Sequence, residues 1–468
     1  MRICTKEECI ALLQEKQAEL AGQGIRRYPQ RGDFSAEEVM AVKNNLGPWP
    51  RALEAAGLKE AREKTRQEIN REKRARAEKR LKTARREAKK AELAAGPKQK
   101  EDGESRLKAL MQKVQPPQRT AIKEARLRQE HLAKPLGSLG RLEELSVRLA
   151  GMTGRVKNEL DKKCLLVFCA DNGVIEEGVS ISPQEVTLRQ AENLAKGLTG
   201  AGVLAGEAGC EVRVYDVGIN GTVREERVID RKIAFGTANF AKGRAMSREQ
   251  AIQAILIGCE AVSRAKEDGV CICGVGELGI GNTTTSSAVL AALTGAAPET
   301  VTGRGGGLTD EGLARKVEVI RGALANFFTG QEDTVDILAK FGGFDLAAMT
   351  GAFLGGAACR MPMVIDGFIS VVAALCAVRL APDVRHYLIA SHQSAEQGYR
   401  LAAAELGIRP LFDLEMRLGE GSGCPIAMKI ADSACAVMNR MASFEEAGIN
   451  DGYLAEMRAE RAVTEEKA

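Results

Sequence analysis

Three glycine-rich segments hold the residues best suited to chemistry. The first, Gly274-Val-Gly-Glu277-Leu-Gly279-Ile-Gly281-Asn282-Thr283-Thr284-Thr285, follows a short apolar run and leads into a helix expected over residues 286–293. Small residues let the backbone approach a ligand, and exposed amides at a helix start favour an anion such as phosphate. No Gly-Lys-Ser/Thr follows, so this is not a Walker A loop, and the spacing makes no convincing dinucleotide fingerprint. NTP hydrolysis and NAD chemistry lose ground accordingly. The second segment, Gly303-Arg-Gly-Gly-Gly-Leu-Thr309-Asp310, ends in a helix cap, and the helix carries Arg315 and Lys316. Lys316 either meets a phosphate as a point charge or lies on the helix surface. The third, Arg417-Leu418-Gly419-Glu420-Gly421-Ser422-Gly423, sets a carboxylate between glycines. That arrangement puts a charge on a backbone built for close approach, which suits a general base or a ligand-gripping Glu better than a turn.

Metal chemistry has little to work with. The chain has 12 Cys without a repeating spacing and 3 His. Many of the cysteines sit in apolar runs, and no secretory signal opens the sequence, so they read as reduced core thiols of a cytoplasmic protein. Cys271-x-Cys273 reads as part of a buried strand, and neither a structural metal nor a cofactor is expected. The apolar stretch Gly367 to Val378 falls well short of the roughly 20 residues needed to span a bilayer, which makes it a buried helix.

The segments that must position these groups alternate in type. Runs at 164–170, 211–216, 269–273, 361–366 and 386–390 are short and apolar or β-branched, and each leads towards glycine-rich or helical sequence. The residues 411–416 before the Glu420 segment read as a further strand. Such alternation predicts an α/β fold with a doubly wound, mainly parallel sheet and flanking helices over residues 105–455, in which ligands sit outside the carboxyl ends of the strands. A small all-α N-terminal module over 1–58, a charged linker helix over 59–104 and a polar tail over 456–468 complete the expected organisation.

The motif order adds a family resemblance. Lys134-Pro-Leu-Gly-Ser-Leu-Gly-Arg-Leu-Glu143, Ala170-Asp-Asn-Gly-Val174, Ser182-Pro-Gln-Glu-Val-Thr187, Asp216-Val-Gly-Ile219, Gly276-Glu-Leu-Gly279 with Asn282-Thr-Thr284, Gly342-Gly-Phe-Asp345, Asp366-Gly-Phe368, Ser391-His392 and the Glu420 segment follow one another along the chain. This ordered set resembles the nicotinate-nucleotide:dimethylbenzimidazole phosphoribosyltransferase family. The resemblance implies transfer of phosphoribose from nicotinate mononucleotide to 5,6-dimethylbenzimidazole for cobalamin assembly, by a homodimer. It makes Glu420 the general base, puts Ser182 and Gln190 at the acceptor base, and counts Leu418 among the substrate-binding residues. It assigns Gly279, Gly281, Asn282, Thr283 and Lys316 to the nucleotide phosphate, Glu277 to the ribose or reacting centre, and Ser391 and His392 to the nicotinate.

Plainer readings stand beside these. Ser182 and Glu185 have the spacing of a capping box, and Gln190 suits an ordinary helix face. Asp171, Asp216, Asp345 and Asp366, at strand ends, suit helix or turn caps. Two departures from the family pattern bear on acceptor choice: Asn172 stands where members often carry His, and the loop Gly303 to Gly307 is unusually rich in glycine. Adenine, another benzimidazole or a phenol is the alternative acceptor.

The N-terminal hundred residues lie outside the family core. Ser35-x-x-Glu38 is a capping box, and Gly47-Pro48 separates two short helices, the second ended by Gly57. With Arg26-Arg27-Tyr28-Pro29 ahead of it, this unit resembles the small helical repeats that accompany homing endonucleases. Residues 59–93 carry 15 Lys and Arg against 7 Glu, a local excess within a chain of net charge +4. Two readings follow: a solvated linker beside a docking domain, or a nucleic-acid contact through residues 1–104, as in a nucleotide-sensing DNA-binding regulator.

Overall fold

The computed structural model describes residues 5–59, 102–454 and 457. The chain divides into two compact units, Met1–Lys100 and Glu101–Ala468. The expected charged helix over 59–104 and the polar tail fall almost entirely outside the described residues.

In the first unit, helices Lys6–Gly22, Ala36–Leu46 and Trp49–Ala55 enclose a small core of Cys9, Leu13, Val42, Ala52, Leu53 and Ala56. Ser35 closes the capping box: the Glu38 amide donates to Ser35 Oγ and the Ser35 amide to Glu38 Oε2 at 2.8 Å. Gly47, at φ 84°, then turns the chain into the next helix, and Gly57, at φ 68°, follows its end. Of the neighbouring arginines, Arg27 is tied to Asp33 by two 2.6 Å hydrogen bonds.

The second unit is built on six strands: β1 Lys163–Ala170, β2 Cys210–Gly218, β3 Ile229–Asp230, β4 Ile272–Leu278, β5 Met363–Ile365 and β6 Leu388–Ala390. All five pairings are parallel, in the order β3-β2-β1-β4-β5-β6. Every residue of β1 is buried, as a central parallel strand covered on both faces requires. From β1 the chain winds outwards to β2 and β3, and from β4 it winds the other way to β5 and β6. Right-handed crossovers in opposite directions put their helices on opposite faces, so the connections leaving β1 and β4 part and open a crevice at their carboxyl ends.

Several boundaries differ from those expected. β4 begins at Ile272 and runs through Glu277, so Glu277 stands on a strand and not on a loop. The two-residue β3 has no apolar signature. Residues 411–416 form no strand; a single bridge joins Phe412 to His392. The helices expected near 286 and 427 start earlier, at Asn282 and Gly423. The apolar stretch 367–378 lies in the buried helix Phe368–Leu380, and no described helix is long and apolar enough to cross a membrane.

Behind the sheet, helix Phe344–Ala358 packs on β1, β2 and β4 and crosses helix Arg248–Glu267 at backbone contact. A Cβ on Gly351 would lie 1.8 Å from the Ile255 carbonyl oxygen, and one on Gly258 would lie 1.8 Å from that of Ala348. Neither carbonyl can move without shifting a helix. Gly351→Ala should therefore destabilise the protein by about 3 kcal/mol, at the upper end of overpacking costs. Gly322→Ala, on an exposed helix face with open space around it, should raise stability by roughly 0.5–1 kcal/mol. Thermal unfolding of both variants checks the pair; equal shifts would refute the close crossing.

Candidate active site

At the carboxyl ends of β4, β5 and β6, beside the segment that leaves β1, lies a cavity walled by residues from five segments. They are 179–182, 277–283, 304–308, 366–370 and 417–420, joined by His392, Ser394 and Glu396.

A Cβ at Gly279 would lie 2.1 Å from the Ala170 carbonyl oxygen, so only glycine brings this turn against β1. Gly281, at φ 93°, then starts helix Asn282–Thr294, which no side chain caps. Its amide pole therefore faces the cavity with its partial positive charge. Lys316 backs the wall without forming part of it. It is fully buried and donates to Thr283 Oγ1 at 2.8 Å and to the Gly303 carbonyl at 3.2 Å, joining the two glycine-rich loops. Burial lowers its pKa to about 8. Thr309 caps the Lys316 helix through the Gly312 amide at 3.2 Å.

Carboxyl groups dominate the remaining wall. Glu277, Asp366 and Glu420 are buried and line the cavity, and Asp345 is buried behind them. Glu420 sits at φ 60° between Gly419 and Gly421, both at φ 81°, and its Oε2 accepts from the Ala201 amide at 3.3 Å. Burial, reinforced by the charges of Asp345 and Asp366, pushes Glu277 well above the usual carboxyl range. It accepts a hydrogen bond from the Asn282 side-chain amide. Burial likewise raises Asp345 to about 6 and Asp366 to about 7. His392, whose pKa burial lowers to about 4, is a neutral imidazole with Nδ1 3.0 Å from Ser391 Oγ, and it stacks on Phe412.

The structure thus gathers Ser182, Glu277, Gly279, Gly281, Asn282, Thr283, His392, Leu418 and Glu420 around one cavity. Ser182 caps nothing: the helix starts at Glu185 with Gln184 at its N-cap. Leu418 is 57% exposed at the mouth, as is Ile181 at 62%. Ser391 lies behind His392 and donates to the Asp366 carbonyl. Gln190 is not among the lining residues; its side-chain oxygen accepts from Asn193 at 3.0 Å. Helix Glu185–Ala195 buries Thr187, Ala191, Glu192 and Leu194, and Gln190, three residues after Thr187 and four before Leu194, is half-buried on the flank of that stripe. Asn172, too, lies behind the wall, with its Cβ 3.3 Å from a Cβ placed on Gly281.

The strand-end aspartates divide in role. Asp171 accepts from Thr187 Oγ1 and the Asn220 amide, and Asp216 pairs with Lys232 and accepts from the Ile219 amide, so both tie the framework together. Asp366 instead faces the Glu420 loop. Arg304 and Glu396, also on the wall, carry no signal in the sequence beyond the glycines beside Arg304. Among the described residues, no group of three or more His, Cys, Asp and Glu is placed to hold a metal ion.

An open parallel sheet with an anion-accepting helix end and a buried, glycine-flanked glutamate on the same cavity defines a group-transfer enzyme for a phosphorylated substrate. Residues 114–449 match the Phosphoribosyltransferase family. A nicotinate-nucleotide–dimethylbenzimidazole phosphoribosyltransferase of Clostridium perfringens is 51% identical over 339 residues, covering 72% of this chain and 94% of that protein. Its counterpart in Clostridium tetani is 44% identical over 75% of this chain and 98% of its own length. The crystal structure of CobT from Thermus thermophilus superposes with a TM-score of 0.69 at 42% identity, covering 71% of this chain and all of the other. The chain belongs to the nicotinate-nucleotide–dimethylbenzimidazole phosphoribosyltransferase family.

The buried carboxyls carry a pH signature. Asp345 titrates near 6 in the folded protein and near 3.8 otherwise, so the folded state holds its proton more tightly. Its stabilising contribution is full below about pH 4 and is lost as pH rises through 6, a loss on the order of 3 kcal/mol. Asp345→Asn mimics the protonated form and should flatten the stability profile between about pH 4 and 7. Parallel unfolding curves for variant and parent would contradict this.

Proposed function

We propose that this enzyme transfers the phosphoribosyl group of nicotinate mononucleotide to 5,6-dimethylbenzimidazole, giving α-ribazole 5′-phosphate and nicotinate for the nucleotide loop of cobalamin. The observation that carries the reading is that an uncapped helix start and a buried Glu420 share one cavity in a chain of this family.

In the proposed mechanism the nucleotide phosphate meets the first-turn amides after Gly281, backed by Lys316. Glu277 faces the ribose. The flat acceptor base enters beside Ser182, with Ile181 and Leu418 as aliphatic flanks. Glu420 takes the imidazole N–H proton, and the freed nitrogen pair attacks C1′ on the face opposite nicotinate. The C1′–N bond breaks with its electron pair passing to the pyridinium nitrogen, which neutralises that ring as nicotinate leaves. Inversion gives the α-nucleotide. Holding both reactants in line with one base supplies the rate enhancement.

Incubation with both substrates, followed by chromatography and mass measurement, should yield nicotinate and the α-nucleotide; no transfer to this acceptor, with turnover on adenine or a phenol, would reassign the acceptor. Glu420→Gln should lower kcat roughly 100- to 10,000-fold and spare nucleotide binding, whereas near-normal turnover would remove Glu420 from the base role.

Lys316→Met, which removes the buried charge, should raise KM for the nucleotide roughly 10- to 100-fold. Because the free lysine titrates near 8, parent kcat/KM for the nucleotide should fall above that pH, and the variant should lack that limb. An unchanged KM would place the phosphate elsewhere.

A further inference from the structure

We propose that Asp366 is the positioning residue of the proton-abstracting loop: its carboxylate clamps the backbone on the far side of Glu420 and so holds that glutamate towards the cavity. The inference rests on the reading of Glu420 as the base.

Glu420 is strained where it stands. A non-glycine residue at φ 60° sits in the left-handed region at a cost of about 1–2 kcal/mol. Its own carboxylate accepts one long hydrogen bond, from the Ala201 amide at 3.3 Å. Something else must stop the loop from relaxing, and Asp366 has the geometry to do so. Its Oδ2 accepts from the Gly421 amide at 3.1 Å and its Oδ1 from the Gly423 amide at 2.7 Å. Those two donors flank Ser422, and the first of them directly follows Glu420, so a single planar carboxylate fixes the turn that sets the direction of the Glu420 side chain.

Asp366 is itself braced from three strands. It directly follows β5, and its amide donates to Ser370 Oγ at 3.1 Å; Ser370 Oγ in turn donates to the Val275 carbonyl of β4 at 3.0 Å. Ser391, just after β6, donates to the Asp366 carbonyl at 3.1 Å. The clamp therefore transmits the register of the sheet to the base. The carboxylate that makes these contacts is buried, at 2% exposure.

The test is a cycle of four enzymes: parent, Asp366→Asn, Glu420→Gln and the double variant, each assayed for kcat and nucleotide KM, with thermal unfolding as the folding control. Asparagine keeps the shape but turns an NH2 donor towards one of the two backbone donors. Asp366→Asn should lower kcat roughly 30-fold or more with KM changed less than about threefold, and in the Glu420→Gln background it should change kcat less than about threefold. Independent, multiplicative losses would overturn the proposal, because Asp366 would then act on the fold or on substrate directly. Full activity of Asp366→Asn beside an inactive Glu420→Gln would overturn it while leaving the base in place. Near-normal turnover by Glu420→Gln would sink the base reading itself. Should Asp366→Asn fail to fold, Asp366→Ser, which retains an acceptor oxygen, enters the same cycle with the same readings.

Discussion

Backbone meets backbone around β4 more closely than any side chain would allow. A Cβ at Gly276 would lie 2.4 Å from the Gly421 amide nitrogen, and one at Gly274 would lie 2.5 Å from the Cys424 Cβ. At Gly279 it would lie 2.1 Å from the Ala170 carbonyl oxygen. These three contacts bring the Glu420 loop, the first turn of helix Gly423–Arg440 and the end of β1 onto one strand. The cavity wall has its shape because these positions carry no side chain. Close packing of this kind transmits a displacement instead of absorbing it, so the glycines and the catalytic geometry are one constraint.

The wall so formed has two electrical ends. At one, the uncapped helix start and the buried Lys316 present positive charge; at the other, Asp366 meets the Glu420 loop, and Glu277 lies between them, bonded to Asn282 and close to Gly419, with Asp345 behind. Crowded carboxyls in a water-poor wall resist full ionisation, which is why burial raises Glu277, Asp345 and Asp366 together. A nucleotide with a phosphate at one end and a pyridinium near the other matches that polarity. The burial that builds this field also costs stability at neutral pH, a trade common at functional sites. The N-terminal unit has its own small core and its own caps.

Much of this architecture could be read in the order of residues. Strands covered on both faces announce themselves as unbroken apolar runs, and glycine clusters mark where backbone must come close. The misreadings have physical causes. Residues 411–416 look like a strand, but the sheet ends at β6 and only one bridge joins Phe412 to His392. Ser182 and Glu185 have capping-box spacing, yet Pro183 and Gln184 form a turn between Ser182 and the helix, freeing Ser182 for the cavity.

What the sequence by itself determined was the parallel α/β framework, the glycine turn that opens a helix and the identity of a glycine-flanked glutamate, because each depends on local geometry within about a dozen residues. Tertiary structure alone decided that Lys316 lies beneath Thr283 and Gly303, that Asn172 stands behind the wall, and that Asp366 grips the loop of Glu420 from 54 positions away in the chain. Those partners meet only when the crossovers from β1 and β4 part in opposite directions. A hydrogen bond between distant segments depends on that three-dimensional path, and neither partner's neighbours in sequence record it.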